Sequence, residues 1–388
     1  MNSYKTKKNK FVKRNIKKFN ESYFLLLSCI FILTLIFFVI ANFMSLDKDF
    51  SEVENRNLQS RPRILSENYT ENLNSYVADQ FFKRINFISF KSRMELMIGK
   101  NKINNVYIGE DNQLFEDFKI TSNEDLFNKV NVINEFKKLN TDLNINFMLV
   151  PTATSILNDK LPKYSPVDDE IEYIKGVERN LAEDINYITV HDKLEQYKEE
   201  YIYFKTDHHW TSEGAYLGYK AFCEATGIEA TNKEEFKSII ASNDFYGSLS
   251  SKIGLYGLGK DKLKIYIPNN KNILVNYVTE QKKEPSLFNS EKLYNKDKYQ
   301  VFLDGNHPLI EIESDKNTDK KILIIKDSYA NNFIPFLTEN YGNISLIDLR
   351  YYKDSVSEYL INNDIKEVLF LYNVNTFNED DSIFNLVA

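Results

Sequence analysis

The decapeptide KTDHHWTSEG, Lys205–Gly214, holds two of the four histidines in this 388-residue chain and its only tryptophan. An aspartate precedes the histidine pair. Asp207 and His209 are two residues apart, so in an extended stretch their side chains leave on the same side. A carboxylate and an imidazole placed so can serve as a general base and the group that fixes its tautomer, with His208 directed elsewhere. Three readings compete for the motif: a proton relay, a metal site, and a packed corner without chemistry. The remaining histidines are His191 and His307, and neither an HExxH pattern nor a second aspartate-rich cluster occurs. That is too few ligands for a cage, so no metal and no cofactor is expected.

A base needs a nucleophile. In KILIIKDSYA (Lys321–Ala330) a serine, Ser328, follows an apolar strand-like run and opens an expected helix. Ligands of open α/β sheets bind outside the carboxyl ends of strands. A helix N-terminus there offers free N–H groups and a positive dipole end to an oxyanion. Ser328 is thus the candidate acyl-transfer nucleophile. The alternative is that Asp327 and Ser328 only cap the helix.

These residues need a scaffold, and the hydrophobic (43%) and aromatic (14%) content is ample for a packed core. INFMLVPTAT (residues 145–154) reads as a strand buried on both faces. KKILIIK, NISLIDL and KEVLFLYNV read alike, and NYITVHD reads as a shorter strand. Helices are expected from Ser122, with Asp125 three residues on as in a capping box. Others are expected through IEYIKGVERNLAED and from Thr211 or Ser212 to Gly227. Strands alternating with helices imply a parallel sheet covered on both faces. Between about residues 232 and 319 short alternating stretches suggest inserted β hairpins. VYIGEDNQLFED reads as another hairpin.

The N-terminal part reads differently. Residues 1–22 carry eight Lys/Arg against one Glu, and Ser22 to Leu46 contain no charge. Twenty-five residues at ~1.5 Å each exceed ~30 Å of hydrocarbon. The charge asymmetry predicts a basic cytoplasmic tail (1–22), a single-pass anchor (23–46) and an extracytoplasmic remainder at the cell membrane. The rival is a cleaved signal peptide, and the length of the run with no small-x-small site near Asn42–Ser45 favours an uncleaved anchor. The net charge of −7, more negative once the tail is set aside, argues against nucleic acid. Residues 47–100 are expected to form a polar stalk and a juxtamembrane helix carrying Leu73, Val77, Phe81, Ile85, Ile88, Met94 and Met97 at mixed three-and-four spacing, packed on the main domain. Cys29 and Cys223 fall on opposite sides of this topology, so no disulfide is expected.

TDHHWT with a later KDSYANNFIPFL resembles the DHHW family of bacterial proteins, related to the alginate O-acetylation proteins and to SGNH-type hydrolases and acyltransferases. ENRNL, DQFFKR, FMLVPTATSILNDKLP, DGNHPL and IDLRYY resemble its other shared segments. The Asp-x-His pair precedes the serine, as in the related enzymes and opposite to the usual SGNH order. One departure is Lys326-Asp327-Ser328 where SGNH hydrolases carry Gly-Asp-Ser. The resemblance implies an SGNH-like three-layer α/β/α domain over 101–388. It implies Ser328 as nucleophile, His209 as base and Asp207 as orienter. An oxyanion hole in such enzymes adds a Gly and an Asn, for which Gly305, Asn306 and Asn373 are candidates. His208, Trp210 and Arg350 are candidates for contact with sugar or acyl donor, Trp210 having a structural role as its alternative. The implied function is O-acetylation of a cell-surface polysaccharide, with the acyl group supplied by a membrane-bound O-acyltransferase. A carbohydrate esterase with the same triad and a non-catalytic polysaccharide-assembly scaffold remain as alternatives.

Overall fold

The computed structural model describes residues 2–51, 56–64, 67–269, 272–316 and 319–387, with side chains from residue 20 onward. The chain forms two compact units, Met1–Ser51 with Asn55–Ile88, and a second containing Ser89–Ala388.

In the first unit one helix runs over Asn2–Met44, and its stretch Asn20–Met44 (25 residues, containing an 18-residue window of mean hydropathy 3.1) is long and apolar enough to cross a membrane. The expected single juxtamembrane helix is two, Tyr69–Asp79 and Arg84–Met97. Lys83, at φ 57°, separates them in left-handed backbone. Continuous three-and-four spacing conceals this break, because Phe81 and Phe82 leave the helix to meet other rings. The expected stalk is not extended. Lys48 N–H donates to Gln80 (3.0 Å), Arg56 pairs with Asp79 (2.6 Å) and Tyr76 OH donates to Asp47 (2.9 Å), tying residues 47–48 and 56 to the first of these helices and its end.

The second unit is built on an eight-stranded sheet. Five parallel strands lie in the order Asn343–Ile347, Lys321–Lys326, Glu367–Asn373, Asn144–Val150 and Ile185–Tyr187. Their side chains alternate between two cores. Ile322 and Ile324 enter one, with Leu217 and Phe222 of the helix Ser212–Thr226. Leu323 and Ile325 enter the other, with Val130 and Phe136 of Asn123–Leu139 and Val177 of Glu170–Asn180. This is the three-layer arrangement, and it explains the near-continuous apolar runs.

The sheet is mixed where a parallel one was expected. Leu309–Ser314, Ile273–Tyr277 and Lys282–Glu284 extend it antiparallel beyond Asn343–Ile347. Among the described residues of the 232–319 region, Lys237–Phe245 and Asp261–Ile267 form a separate antiparallel ribbon. Alternation within a short strand reveals a half-buried face but not the non-local strand it pairs with. The hairpin Val106–Ile108/Leu114–Glu116 forms as expected. So do the caps: Ser122 accepts from Asp125 N–H, Thr211 accepts from Gly214 N–H, and Gly227 closes its helix at φ 69°.

Candidate active site

The DHHW loop is pinched between Tyr203 and Trp210, which bridge antiparallel. Asp261, at the head of the separate ribbon, ties the loop down. Its carboxylate accepts from Lys205 N–H (2.8 Å), Thr206 N–H (2.7 Å), Thr206 OH (2.5 Å) and Tyr201 OH (2.5 Å). Burial pushes the Asp261 carboxyl up, and these donors oppose it. Thr206 Oγ1 in turn accepts from Gly247 N–H (2.9 Å), which sets the next residue for its contact with Asp207.

Asp207 is buried and fully engaged. One oxygen accepts from His209 N–H (3.0 Å) and lies 2.5 Å from His209 Nδ1; the other accepts from Ser248 N–H (2.7 Å). Burial alone raises its pKa, yet the His209 and His208 charges and these hydrogen bonds outweigh it and hold the carboxyl well below its usual range. A carboxylate can only accept, so Nδ1 of His209 carries the proton and Nε2 is free to accept. Nε2 lies 2.7 Å from Ser328 Oγ. Burial, joined by the His208 charge and opposed by Asp207, pushes the His209 imidazole down to about 4. It is therefore neutral at neutral pH, the state a base requires. Tyr299 stacks on the imidazole (3.8 Å, 9°) and donates from its hydroxyl to Ser328 O (3.1 Å).

Close approach fixes Gly247. A Cβ there would sit 2.2 Å from Asp207 Cβ and 2.6 Å from Oδ2. Gly247→Ala is expected to displace Asp207 and lower ester turnover ~10²-fold, the cost of a misplacement near 1 Å. Unchanged turnover, with folding verified by circular dichroism, would show that Asp207 tolerates the shift.

Ser328 stands two residues after the last residue of the strand Lys321–Lys326. Asp327 fastens the turn: one oxygen accepts from Tyr329 N–H (2.8 Å), the other from Asn373 N–H (2.9 Å) and Nδ2 (2.6 Å). The expected helix is instead a 3₁₀ turn, Ser328–Asn332, and one short α turn, Ile334–Leu337. A macrodipole argument fails at that length, and any oxyanion donors are individual groups.

Several candidates have other work. Trp210 is fully buried and offers no face to a sugar. Its indole donates to Tyr329 O (3.0 Å) and Asn332 Oδ1 (2.7 Å), and Asn332 donates back to Trp210 O (3.0 Å), joining the loop to the serine turn. Its ring fills the space a Cβ at Gly218 would need. Asn373 Nδ2 is committed to Asp327 and Thr376 Oγ1 (2.6 Å), so it orients the turn and has no hydrogen left for an oxyanion. Gly305, at φ 101°, gives its N–H to Phe302 O (3.1 Å). Arg350 is held bidentate by Asp348 (2.8 and 2.6 Å). His208 is half-buried, with Nδ1 2.6 Å from Ser248 Oγ and its ring 3.8 Å from that of His209.

Asn306 is exposed, and its orientation is set by the lysine that stands where related motifs carry glycine. Buried Lys326 donates to Asn306 Oδ1 (3.0 Å) and Asn331 Oδ1 (2.7 Å). Lysine only donates, so both amide oxygens must face it and the Asn306 N–H₂ turns away. Burial pushes the Lys326 amine down to about 8, Asp348 and Asp327 opposing and Arg350 assisting, which leaves it charged at neutral pH. Tyr299, Gly247, Ser248 and Asp261 carried no motif signal, and Lys326 stood out only as a departure from the glycine of related motifs. The Asn331–Asn332 pair lay inside the serine motif but without a role.

Ligand atoms of Asp207, His208 and His209 lie within 4.8 Å of one another, close enough for one ion. Coordination through the free nitrogen of His209 would displace its bond to Ser328, so the relay and the metal are exclusive uses of one cluster.

The DHHW protein family model matches residues 99–347. Among solved structures, a DHHW family protein from Eubacterium siraeum is 24% identical, with a TM-score of 0.64 over 73% of this chain and 95% of that one. Bacillus cereus PatB1 is 23% identical (TM-score 0.62, 72% and 98% covered). The same protein solved with a sulfonyl adduct matches at 22% (TM-score 0.60, 74% and 99% covered). At these identities the likeness is one of fold. No curated protein sequence matches the chain.

Proposed function

The chain belongs to the DHHW family, and from that premise and the geometry of Ser328 we propose that it is a membrane-anchored serine O-acetyltransferase acting on a cell-surface polysaccharide. The observation that carries the reading is the unbroken line from Asp207 Oδ1 through His209 to Ser328 Oγ, at 2.5 and 2.7 Å. Ser328 Oγ attacks the acyl carbonyl while Nε2 takes its proton, and Asp207 stabilises the imidazolium. The imidazolium then protonates the leaving group, giving an acyl-serine. A sugar hydroxyl, deprotonated by the same imidazole, accepts the acyl group and releases the serine. The sulfonyl adduct of Bacillus cereus PatB1 accords with a nucleophile on this fold. The apolar stretch Asn20–Met44, with a basic tail before it, supports the reading that residues 47–388 lie outside the cytoplasm, with 101–388 as the catalytic domain. An acyl donor there must cross the membrane, which suits supply by a membrane-bound acyltransferase.

Transfer and hydrolysis share the acyl-serine and differ only in what enters next. The test uses the full chain in detergent with an activated acetyl ester, with and without an oligosaccharide acceptor. Acetylated oligosaccharide supports transfer, and acetate release indifferent to acceptor would favour the esterase. A chelator is expected to leave turnover intact. Loss on chelation with recovery on zinc would favour the metal use of Asp207, His208 and His209.

A further inference from the structure

The first unit contains a feature that a simple anchor does not need. Between its second and third helices the chain turns at Phe81 and Phe82, and both rings lie against the apolar span. Phe38 stacks on Phe81 (5.7 Å, 27°) and meets Phe87 edge-on (5.6 Å), while Phe37 meets Phe82 edge-on (6.3 Å). Phe38 is six residues inside the end of the span at Met44. At ~1.5 Å per residue that is about 9 Å along the helix. The 25-residue span exceeds ~30 Å of hydrocarbon by roughly 7 Å, so with the surplus shared between its ends Phe38 sits about 5 Å below the hydrocarbon edge. That is the depth at which interfacial amphipathic segments rest.

The turn backbone, bonded to Asn42 two residues from Met44, lies by the same arithmetic at the hydrocarbon edge, where water is scarce and its polar groups are best satisfied within the protein. Asn42, a polar residue inside the apolar span, does this. Its Oδ1 accepts from Phe82 N–H (2.7 Å), while its Nδ2 donates to Phe38 O within its own helix (2.7 Å). Phe81 O is taken by Arg84 N–H and Lys83 O by Asn86 N–H (both 2.9 Å). Lys83 is exposed and its amine lies 5.9 Å over the Phe82 ring. Phe87 also remains exposed. Aromatic rings with a lysine beside them are the composition of a membrane–water boundary, where the long cation reaches the headgroups.

We propose that the Phe81–Phe82 turn is a second membrane-contacting element, an aromatic wedge seated in the outer leaflet of the bilayer beside the transmembrane helix and held there by Asn42. The inference rests on the span crossing the membrane. Its occupant is lipid at the headgroup–acyl boundary. The chain leaves the bilayer at Met44 and returns to it at Phe81, so the polar stretch between them does not act as a spacer.

Fluorescence quenching tests this. The full-length Phe82→Trp and Phe38→Trp variants are placed in phosphatidylcholine–phosphatidylglycerol vesicles whose acyl chains are brominated near the headgroup or near the terminal methyl. The native Trp210 is fully buried in the second unit and supplies an unquenched reference. Loss of the added emission in both variants with the shallow label, and less with the deep one, is the expected result. Loss for Phe38→Trp without loss for Phe82→Trp overturns the wedge and leaves the span standing. No loss in either overturns the span, and the wedge with it. Phe81→Trp repeats the test should Phe82→Trp fail to fold, and wild-type ester turnover of each variant verifies its fold.

Discussion

Ser328→Ala abolishes turnover of an activated acetyl ester, and His209→Ala does nearly the same. Losses of ~10⁴ to 10⁶ in kcat are expected for either, because removing one member of a catalytic unit disables it. Among the described residues no other base is hydrogen-bonded to Ser328 Oγ. His209 Nε2 is the group at 2.7 Å, and its ring is fixed on one side by Asp207 and on one face by Tyr299. Asp207→Ala should cost ~10⁴, since the imidazole then loses both its tautomer and its orientation. The Ser328→Ala/His209→Ala double variant should be no worse than Ser328→Ala, whereas independent contributions would multiply. Ser328 is part-exposed and carries little packing, so its variant is expected to fold with an unchanged melting temperature. Full turnover by Ser328→Ala would move the binding or scaffold reading to first place, with the DHHW loop as a packed corner or ion site.

The parts of this site legible in the sequence are local. Asp207 and His209 declared themselves by a two-residue spacing, and Ser328 by its place after an apolar strand. Burial on both faces made the strands readable, and single residues such as Ser122 and Thr211 marked helix starts. What stayed hidden arrives from a distance. Asp261, Ser248 and Tyr299 come from the 232–319 region, and nothing in a lone aspartate, serine or tyrosine tells which loop it will meet. That region extends the sheet and buttresses the proposed base, which short alternating strands do not announce. Trp210 was left with two readings for a related reason. An aromatic beside catalytic residue types suits a sugar, but the two indole hydrogen bonds and the contact with Gly218 exist only after folding. Lys326 marked a departure from the glycine of related motifs, and the structure shows a cation occupying that place to set two amides.

Turnover is expected to persist well below the pH at which an ordinary histidine base fails. The base must be neutral, and burial with the His208 charge pushes the His209 imidazole to about 4 against the pull of Asp207. At pH 5 a base of pKa ~4 is about 90% neutral, against about 3% for one at the unperturbed ~6.5, a difference near thirtyfold in rate. The acid limb of kcat/KM for the activated ester should therefore centre near pH 4. Stability moves in the same direction. Above about 6.5 both folded and unfolded histidine are neutral. As pH falls through the window from there to about 4, only the unfolded chain takes up the proton, and stability is lost across that window. Asp207, held low in the folded state, adds its own loss at still lower pH. Initial rates after brief acid exposure, with a melting curve at each pH, separate the two effects. His208→Gln removes one of the influences that lower the imidazole pKa, so its acid limb should move upward while most turnover at neutral pH is kept. An acid limb near 6.5 in the wild type would mean that His209 is not the buried base, and an unmoved limb in His208→Gln would mean that the two rings do not share their charge.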